Sequence, residues 1–311
     1  MGPRTPDRDA GHLAQAGTRD ADGPGHSKGN TVNQLNHTGA DAPVPTPEQV
    51  RREHQLRDIL REMESVAVAW SGGADSTYLL DVAREVLGEQ CVAVLADSPS
   101  LPRDEFRDAL AIARARGWTV EVVQTREFDN EAFRRNDGTR CYHCKHELFG
   151  VMEQVTRNRG LRWIAYGELA DDALDPTRVG AKAARERGVR APLAEAGITK
   201  ADVRALSRAR GLETWDKPSF ACLASRVPRN TPVNPEVMGK VEAAEACLRT
   251  QGFRQYRARH HGDLCRVELD PADLPRLLDP AVRTAVLAGI AAAGYRYVTV
   301  DLAGYRTGST A

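Results

Sequence analysis

Aromatic residues are scarce in this chain, 5% of 311 residues, and no apolar run approaches the ~20 residues that cross a bilayer. Its first residues carry no apolar leader segment, so a soluble, cytoplasmic protein with no membrane partner is expected. An excess of one charge is missing too, since 43 Lys and Arg balance 43 Asp and Glu. Proteins that grip a phosphate backbone show a cationic excess, so the balance argues against nucleic acid as partner, local basic patches aside. Cysteine is sparse, six in all, which is too few for a disulfide scaffold in a chain of this length. Two of the six stand three positions apart, a spacing that suits a reducing compartment and metal or sulfur chemistry.

The length fits two domains at the usual ~100–200 residues each. Residues 1–47 hold scarcely an apolar pair and cannot offset the entropy of ordering, so they are expected to form a disordered tail. From Thr46 onward the pattern alternates. Helical periodicity begins at Pro47, short apolar strands are predicted at 66–70, 91–96, 119–123 and 163–166, and helices at 76–87, 104–116 and 145–158. A further helix is capped by Thr199 and ends before Gly211. Such alternation implies an α/β fold, a Rossmann-like parallel sheet covered on both faces, over residues 48–230. After about Thr231 the rhythm changes: a helix at 235–250, adjacent strands at 253–259 and 264–269, a helix at 281–293 and a strand at 296–301. Residues 231–311 are therefore expected to form a small α+β domain.

The sharpest local feature is Trp70-Ser71-Gly72-Gly73-Ala74-Asp75-Ser76-Thr77, between the first strand and its helix. Two glycines allow a tight turn and close approach of an anion. The following helix offers free N–H groups and the positive end of its dipole, and Ser71, Ser76 and Thr77 add hydroxyls. Asp75 would repel phosphate unless a cation intervened, so it reads as a Mg²⁺ ligand or as a helix-start charge. The segment resembles the PP-loop of ATP pyrophosphatases, which cleave ATP to AMP and pyrophosphate, and it lacks the Gly-Lys-Ser/Thr of a Walker loop. By that resemblance Ser98, just past the second strand, helps to hold the adenosine.

Arg140-Cys141-Tyr142-His143-Cys144-Lys145 sets two thiols at ligand spacing at a helix start, and Cys222 lies in the segment Trp215 to Arg226. Lys145, Lys217 and Arg226 stand near them in sequence and would favour thiolates. Three readings remain open from the residues: a zinc site completed by His143 or His146, a [4Fe–4S] cluster on three thiolates, or unliganded redox thiols. Cys91, Cys247 and Cys265 read as structural. Farther on, Arg257 and Arg259 share a strand face by the period of two and could fork onto a phosphate.

Taken together, these segments are very similar to the LarE family of sulfur transferases, which builds the nickel-pincer nucleotide. The likeness runs through residues 46–309 and adds Ser98-Pro99-Ser100-Leu101-Pro102, Pro192-Leu193, the stretch 257–262 and the closing Asp301-Leu302-Ala303-Gly304-Tyr305-Arg306. It implies ATP and Mg²⁺ as cofactors, adenylation of an acceptor carboxylate, and sulfur delivery from a hydrosulfide on a [4Fe–4S] cluster of Cys141, Cys144 and Cys222. Members with only the cysteine matching Cys222 sacrifice its sulfur; this chain has all three, which favours the cluster over zinc. The resemblance further implies that Arg257 and Arg259 hold the substrate phosphate, with Glu268 beside them. Lys217 and Arg226 are read as cations for ATP or substrate anions, Cys222, Asp75 and Lys217 forming the catalytic set. The implied partners are a small anionic substrate, by resemblance a pyridinium biscarboxylate mononucleotide, sulfide or a sulfur-donor protein, and further copies of the chain.

The chain departs from the family at Tyr166-Gly167-Glu168-Leu169, where Asp-Gly-Thr-Asn is usual, and again over residues 175–180, which puts the acceptor in question more than the reaction. Alternatives are sulfuration of another small molecule or of tRNA, ATP-dependent amidation, and a zinc-stabilised nucleotide-binding protein without activity. Absence of a glutaminase segment and of basic excess weakens amidation and tRNA.

Overall fold

The computed structural model describes residues 44–173, 179–218 and 221–306. Most of the expected tail (1–43), most of the second family departure (174–178), Ser219 and Phe220, and residues 307–311 lie outside the described residues.

Four strands, Val66–Ala69 (β1), Cys91–Asp97 (β2), Val120–Gln124 (β3) and Trp163–Tyr166 (β4), pair in parallel in the order β3-β2-β1-β4. The α/β class expected from the alternating pattern is the one that forms. Period-two geometry explains its two-sided burial. Val66 and Val68 join a cluster with Leu79, Leu80 and Ala83 of the Ala74–Leu87 helix. Ala67 turns to the other face, where Phe149 and Met152 of the Arg140–Arg159 helix pack.

Beyond residue 234 the Pro235–Thr250 helix precedes a second sheet of Tyr256–His261 (β5), Leu264–Leu269 (β6) and Tyr297–Val300 (β7). β5 and β6 run antiparallel, and β7 joins β6 in parallel. Ala244, Leu248, Ala258, Cys265, Val267, Val286 and Ile290 form its core. Another cluster packs Phe128 and Phe133 with Leu223, Val233, Met238 and Val241. Cys265 and Cys91 are buried and their thiols pushed up to about 12 by burial, as inert structural cysteines should be.

Two boundaries differ from expectation for local reasons. β5 starts at Tyr256 rather than 253, because Gly252 adopts φ 78° and the Phe253 N–H returns to Leu248 O at 3.3 Å, closing the preceding helix. The helix expected from residue 145 begins at Arg140. Its cysteine pair therefore occupies the first two turns, where positions three apart share a face. Short turns of helix at Gly180–Glu186, Pro192–Glu195 and Leu223–Arg226 span too few residues for a periodic signal. No helix among the described residues is long and apolar enough to cross a membrane.

Asp202 ties the first helix to the sheet domain. It completes a capping box with Thr199, and it accepts from Gln49 Nε2 at 3.2 Å and Arg52 Nη1 at 2.6 Å. Burial raises its pKa, but the Thr199 and Arg52 hydrogen bonds outweigh that and hold it below the ordinary aspartate value. A carboxyl lowered in the folded state stabilises above its unfolded pKa and loses that contribution as pH falls through the folded one. Asp202→Asn should therefore cost about 1–2 kcal/mol at neutral pH and flatten the stability profile below about pH 4. Urea melts across pH 2–7 check it; an acid limb as steep as that of the unmodified chain would contradict the assignment.

Candidate active site

The glycine-rich loop leaves the carboxyl end of β1 and enters the Ala74–Leu87 helix, the edge where open α/β sheets bind ligands. Gly72 has φ 72°, and a Cβ there would stand 2.8 Å from Ala109 Cβ, so the turn admits only glycine. Gly73 caps the helix with no side-chain bond, which leaves the first-turn N–H groups facing the loop. Ser71 and Ser76 hydroxyls lie 3.2 Å apart, and Ser76 Oγ also receives the Ser71 N–H at 3.2 Å. The loop's hydroxyls and N–H groups thus bond one another at the start of the helix. Thr77, expected among the nucleotide hydroxyls, is fully buried, and its Oγ1 accepts the Trp70 indole N–H at 3.0 Å. That hydroxyl anchors the loop to the core.

Asp75 does not stand alone. Lys200 Nζ donates to both its carboxylate oxygens at 2.7 and 2.9 Å, and the Lys200 N–H donates to Asp171 at 3.0 Å. Lys200 was not singled out from sequence because it sits at the start of an ordinary amphipathic helix, 125 residues away. Lys217 reaches the loop as expected, donating to Gly72 O at 3.2 Å while paired with Glu105 at 2.7 Å.

A cavity of about 260 Å³ brings these parts together. Trp70, Ser71 and Gly73 line it from the loop, Val94 to Ala96 from β2, and Ser98 and Ser100 from the turn beyond. Lys217, Cys144 and Cys222 line the same cavity. The nucleotide loop and two of the three expected thiols therefore share one space. Its wall is mostly apolar with a few polar groups, the usual make-up of a small-molecule site. On the other side of β1, a second cavity of about 230 Å³ is lined by Ser71, Asp75, Ser76, Lys145, Tyr166 and Gly167.

Cys144 and Cys222 pack against the cluster of Phe128, Phe133 and Leu223, whereas Cys141 is exposed. The cation among them is Arg140, a correction to the sequence reading: Lys145 lies over the Tyr166 ring, Lys217 holds Glu105, and Arg226 holds Glu245. Arg140 Nη2 approaches Cys141 Sγ at 3.9 Å, and Nη1 donates to Ala224 O at 2.8 Å and Asn136 Oδ1 at 2.5 Å. Burial opposes its charge, yet Cys222, Cys141 and Cys144 together raise its pKa, so all three sulfurs lie within its field. Burial pushes the Cys144 thiol well up, helped by Cys222 and Glu127 and opposed by Arg140.

Among the described residues no three His, Cys, Asp or Glu side chains form a group that could hold a metal ion as they stand. His146, offered as a zinc ligand, places its ring nitrogens 3.2 and 3.3 Å from Arg187 Nη2. One zinc ion draws all its ligands to ~2.3 Å or less. A cubane takes each thiolate at a different iron and asks for wider spacing. A set of three sulfurs near one cation, with His146 engaged by Arg187, fits the cluster better in kind.

The expected substrate cations proved to be buried. Arg226 is fully buried, with Nε and Nη2 on Glu245 at 2.8 and 2.9 Å and Nη1 on Ala221 O at 2.5 Å and Cys222 O at 3.1 Å. With its donors engaged inside the protein, the expectation that it binds substrate is corrected: it positions the Cys222 backbone. Arg257 and Arg259 do share the β5 strand, but neither forms part of the wall of the loop–thiol cavity. Arg259 bonds Glu268 Oε2 at 2.8 Å and Ser225 O at 3.0 Å, and Arg257 lies over the Tyr305 ring at 4.8 Å. Burial and then the nearby Arg226 lower the Arg257 pKa, while Glu245 and Tyr305 oppose them. Glu268 is fully buried.

Asn136, Glu245 and Glu127 were missed from sequence. Asn136 is buried at φ 55° and donates to Pro228 O and Thr231 O at 2.9 and 3.0 Å, pinning the segment after Cys222 to the start of the cysteine helix. An asparagine before Cys-Xaa-Xaa-Cys carries no recognisable signal unless its left-handed conformation is known. At the family departure, Leu169 fills the main core and Tyr166 donates to Glu168 beside the second cavity.

No family model matches the chain. Individual proteins do. An uncharacterised protein of Synechocystis sp. is 39% identical over 253 residues, covering 81% of this chain and 94% of its own length. The pyridinium-3,5-bisthiocarboxylic acid mononucleotide synthase of Lactiplantibacillus plantarum is 34% identical over 250 residues, 80% of this chain and 90% of that enzyme. A glutamine-hydrolysing GMP synthase of Chlamydia caviae matches at 24% over 128 residues, 40% of this chain and 24% of its own.

The buried Arg226 gives a direct test of its reassigned role. Arg226→Ala leaves the buried Glu245 charge with no ion-pair partner of its own among the described residues, only the Ala258 N–H at 3.1 Å, and should destabilise by about 3–5 kcal/mol. Arg226→Lys, lacking the fork, should recover only part of that. Denaturant melts read both; unchanged stability with a selective loss of substrate affinity would restore the substrate-binding role.

Proposed function

The chain belongs to the LarE family of ATP-dependent sulfur transferases, and on that footing we propose that it sulfurates a carboxylate of a pyridinium biscarboxylate mononucleotide. The observation that carries this reading is the single cavity lined by the PP-loop, Lys217, Cys144 and Cys222. In the reaction we infer, a carboxylate oxygen of the acceptor attacks the α-phosphorus of ATP and pyrophosphate leaves. A sulfur nucleophile then adds to the acyl carbon, and AMP departs with its bonding electrons, giving a thiocarboxylate.

This chain's residues would act as follows. Ser71, Ser76, Gly72 and Gly73 with the helix N-terminus hold the triphosphate, and Ser98 borders the adenosine. Asp75, once released from Lys200, would hold Mg²⁺, which neutralises charge on the departing pyrophosphate. Lys200, set free by that exchange, and Lys217 stabilise the phosphoryl charge that develops. Arg257 and Arg259 would take the acceptor's phosphate, in the 231–311 unit, with Glu268 holding the Arg259 guanidinium in place, while residues 48–230 carry the nucleotide and sulfur chemistry. When bound, a [4Fe–4S] cluster on Cys141, Cys144 and Cys222 would supply an open iron site at which sulfide is held. Arg140 and Asn136 keep the three thiols and the Cys222 segment in register. The sulfide, or a protein that delivers it, is the proposed sulfur source; cytoplasmic residence and self-association follow from the same reading.

A second reading has a specific observation behind it: Cys222 itself lines the cavity, so its own sulfur could be given up. Anaerobic protein incubated with ATP, acceptor and sulfide should yield AMP and sulfurated product in equal amounts, with iron and acid-labile sulfide bound to the chain. Cys141→Ala should lose the iron and at least about tenfold in turnover. An unchanged intact mass after turnover favours the cluster, and loss of one sulfur from the chain favours sacrifice. Zinc without iron would refute the cluster, and the appearance of neither AMP nor sulfurated product would refute the sulfur transfer itself.

A further inference from the structure

Glu127 follows β3 in a short 3₁₀ turn, is almost completely buried, and lines the cavity that holds the loop and the thiols. Its Oε1 is fully used, accepting from Ser98 Oγ and from Ser100 Oγ at 3.1 Å. Its Oε2 has no hydrogen-bond partner among the described residues. A buried carboxylate oxygen left bare costs more than most single contacts contribute, so a donor is expected to complete it. Two serines hold the carboxylate from one side, and Ser100 O in turn accepts the Leu223 N–H at 2.8 Å, next to Cys222. The side chain is therefore fixed in orientation, and its second oxygen is buried without a donor among the described residues, on a residue that lines the cavity.

We propose that Glu127 Oε2 accepts a hydrogen bond from a ribose hydroxyl of the bound nucleotide and sets the enzyme's preference for ribonucleotides. The assignment rests on the nucleotide reading of this cavity. A carboxylate repels phosphate, so the triphosphate belongs at the serine and helix-terminus end of the loop. The apolar strip of Val94, Leu95, Ala96, Leu101 and Pro102 suits the flat base. Ribose lies between base and α-phosphate, and Glu127 shares its part of the wall with Cys144 and Cys222, where sulfur must approach the activated acceptor. Acidic side chains at the carboxyl edge of α/β sheets recognise ribose hydroxyls by this same chemistry. The acceptor is itself a mononucleotide under this reading, so the shared chemistry is a ribose hydroxyl from either source.

Equilibrium binding of ATP, 2′-deoxyATP and 3′-deoxyATP to the full chain tests the assignment, with Glu127→Gln and Glu127→Ala alongside. The unmodified protein should bind one deoxy analogue at least about tenfold more weakly than ATP, the usual worth of a charge-assisted hydrogen bond. Glu127→Gln should narrow that gap several-fold and Glu127→Ala should abolish it. If the gap for ATP stays unchanged while Glu127→Gln raises KM for the acceptor mononucleotide without lowering kcat, the same bond belongs to the acceptor's ribose. Equal weakening of ATP and both analogues, with no change in acceptor KM, marks a purely structural glutamate and overturns the proposal. No ATP binding by the unmodified protein would instead overturn the nucleotide reading on which it rests.

Discussion

The site depends on one buried guanidinium. Arg226 holds Glu245 of the Pro235–Thr250 helix with two of its nitrogens and the Ala221 and Cys222 carbonyls with the third. A buried ion pair contributes little net stability against an apolar substitute, because desolvation offsets most of its Coulomb attraction. Its value lies in geometry. The pair fixes where the chain passes over the cavity, and the Leu223 N–H on Ser100 O fastens that passage to the turn beyond β2. Arg259 adds a third tie through Ser225 O, carrying the β5 strand into the same network.

Charge is distributed so that the two ends of the site differ. At the loop, Lys200 and Lys217 are each matched to a carboxylate, Asp75 and Glu105, and both pairs are partly open to solvent. Pairs of this kind exchange partners at small cost, so a triphosphate with its cation can displace them. Around Arg226 and Arg257 the charges are buried, and exchange there costs far more. The adaptable end thus faces the nucleotide and the rigid end holds the third cysteine. The departure from the family at Tyr166 to Leu169 lies along the second cavity, which Ser71, Asp75 and Ser76 of the loop also line, and in the core behind it; none of these four residues lines the loop–thiol cavity.

Much of this was legible in the sequence, and the reasons are local. The loop could be read because glycine at a positive φ, flanked by strand and helix, leaves a pattern of residue types in consecutive positions. The parallel sheet could be read because buried strands are short and uniformly apolar. Arg226 was recognised as important and given the wrong task, since sequence does not tell a buried cation from an exposed one. Lys200, Arg140 and Glu127 act through partners distant in the chain, or through an oxygen whose vacancy exists only in three dimensions. Thr77 looked like one more hydroxyl of the loop; only the Trp70 indole beside it gives its different use.

The account turns on a carboxylate oxygen being activated by ATP in the same cavity from which sulfur arrives. The most direct measurement is to follow oxygen-18 from a labelled acceptor carboxylate through one turnover under anaerobic conditions. If the account holds, each sulfur gained by the product is matched by one labelled oxygen in the phosphate of AMP. Sulfurated product accompanied by unlabelled AMP would contradict it.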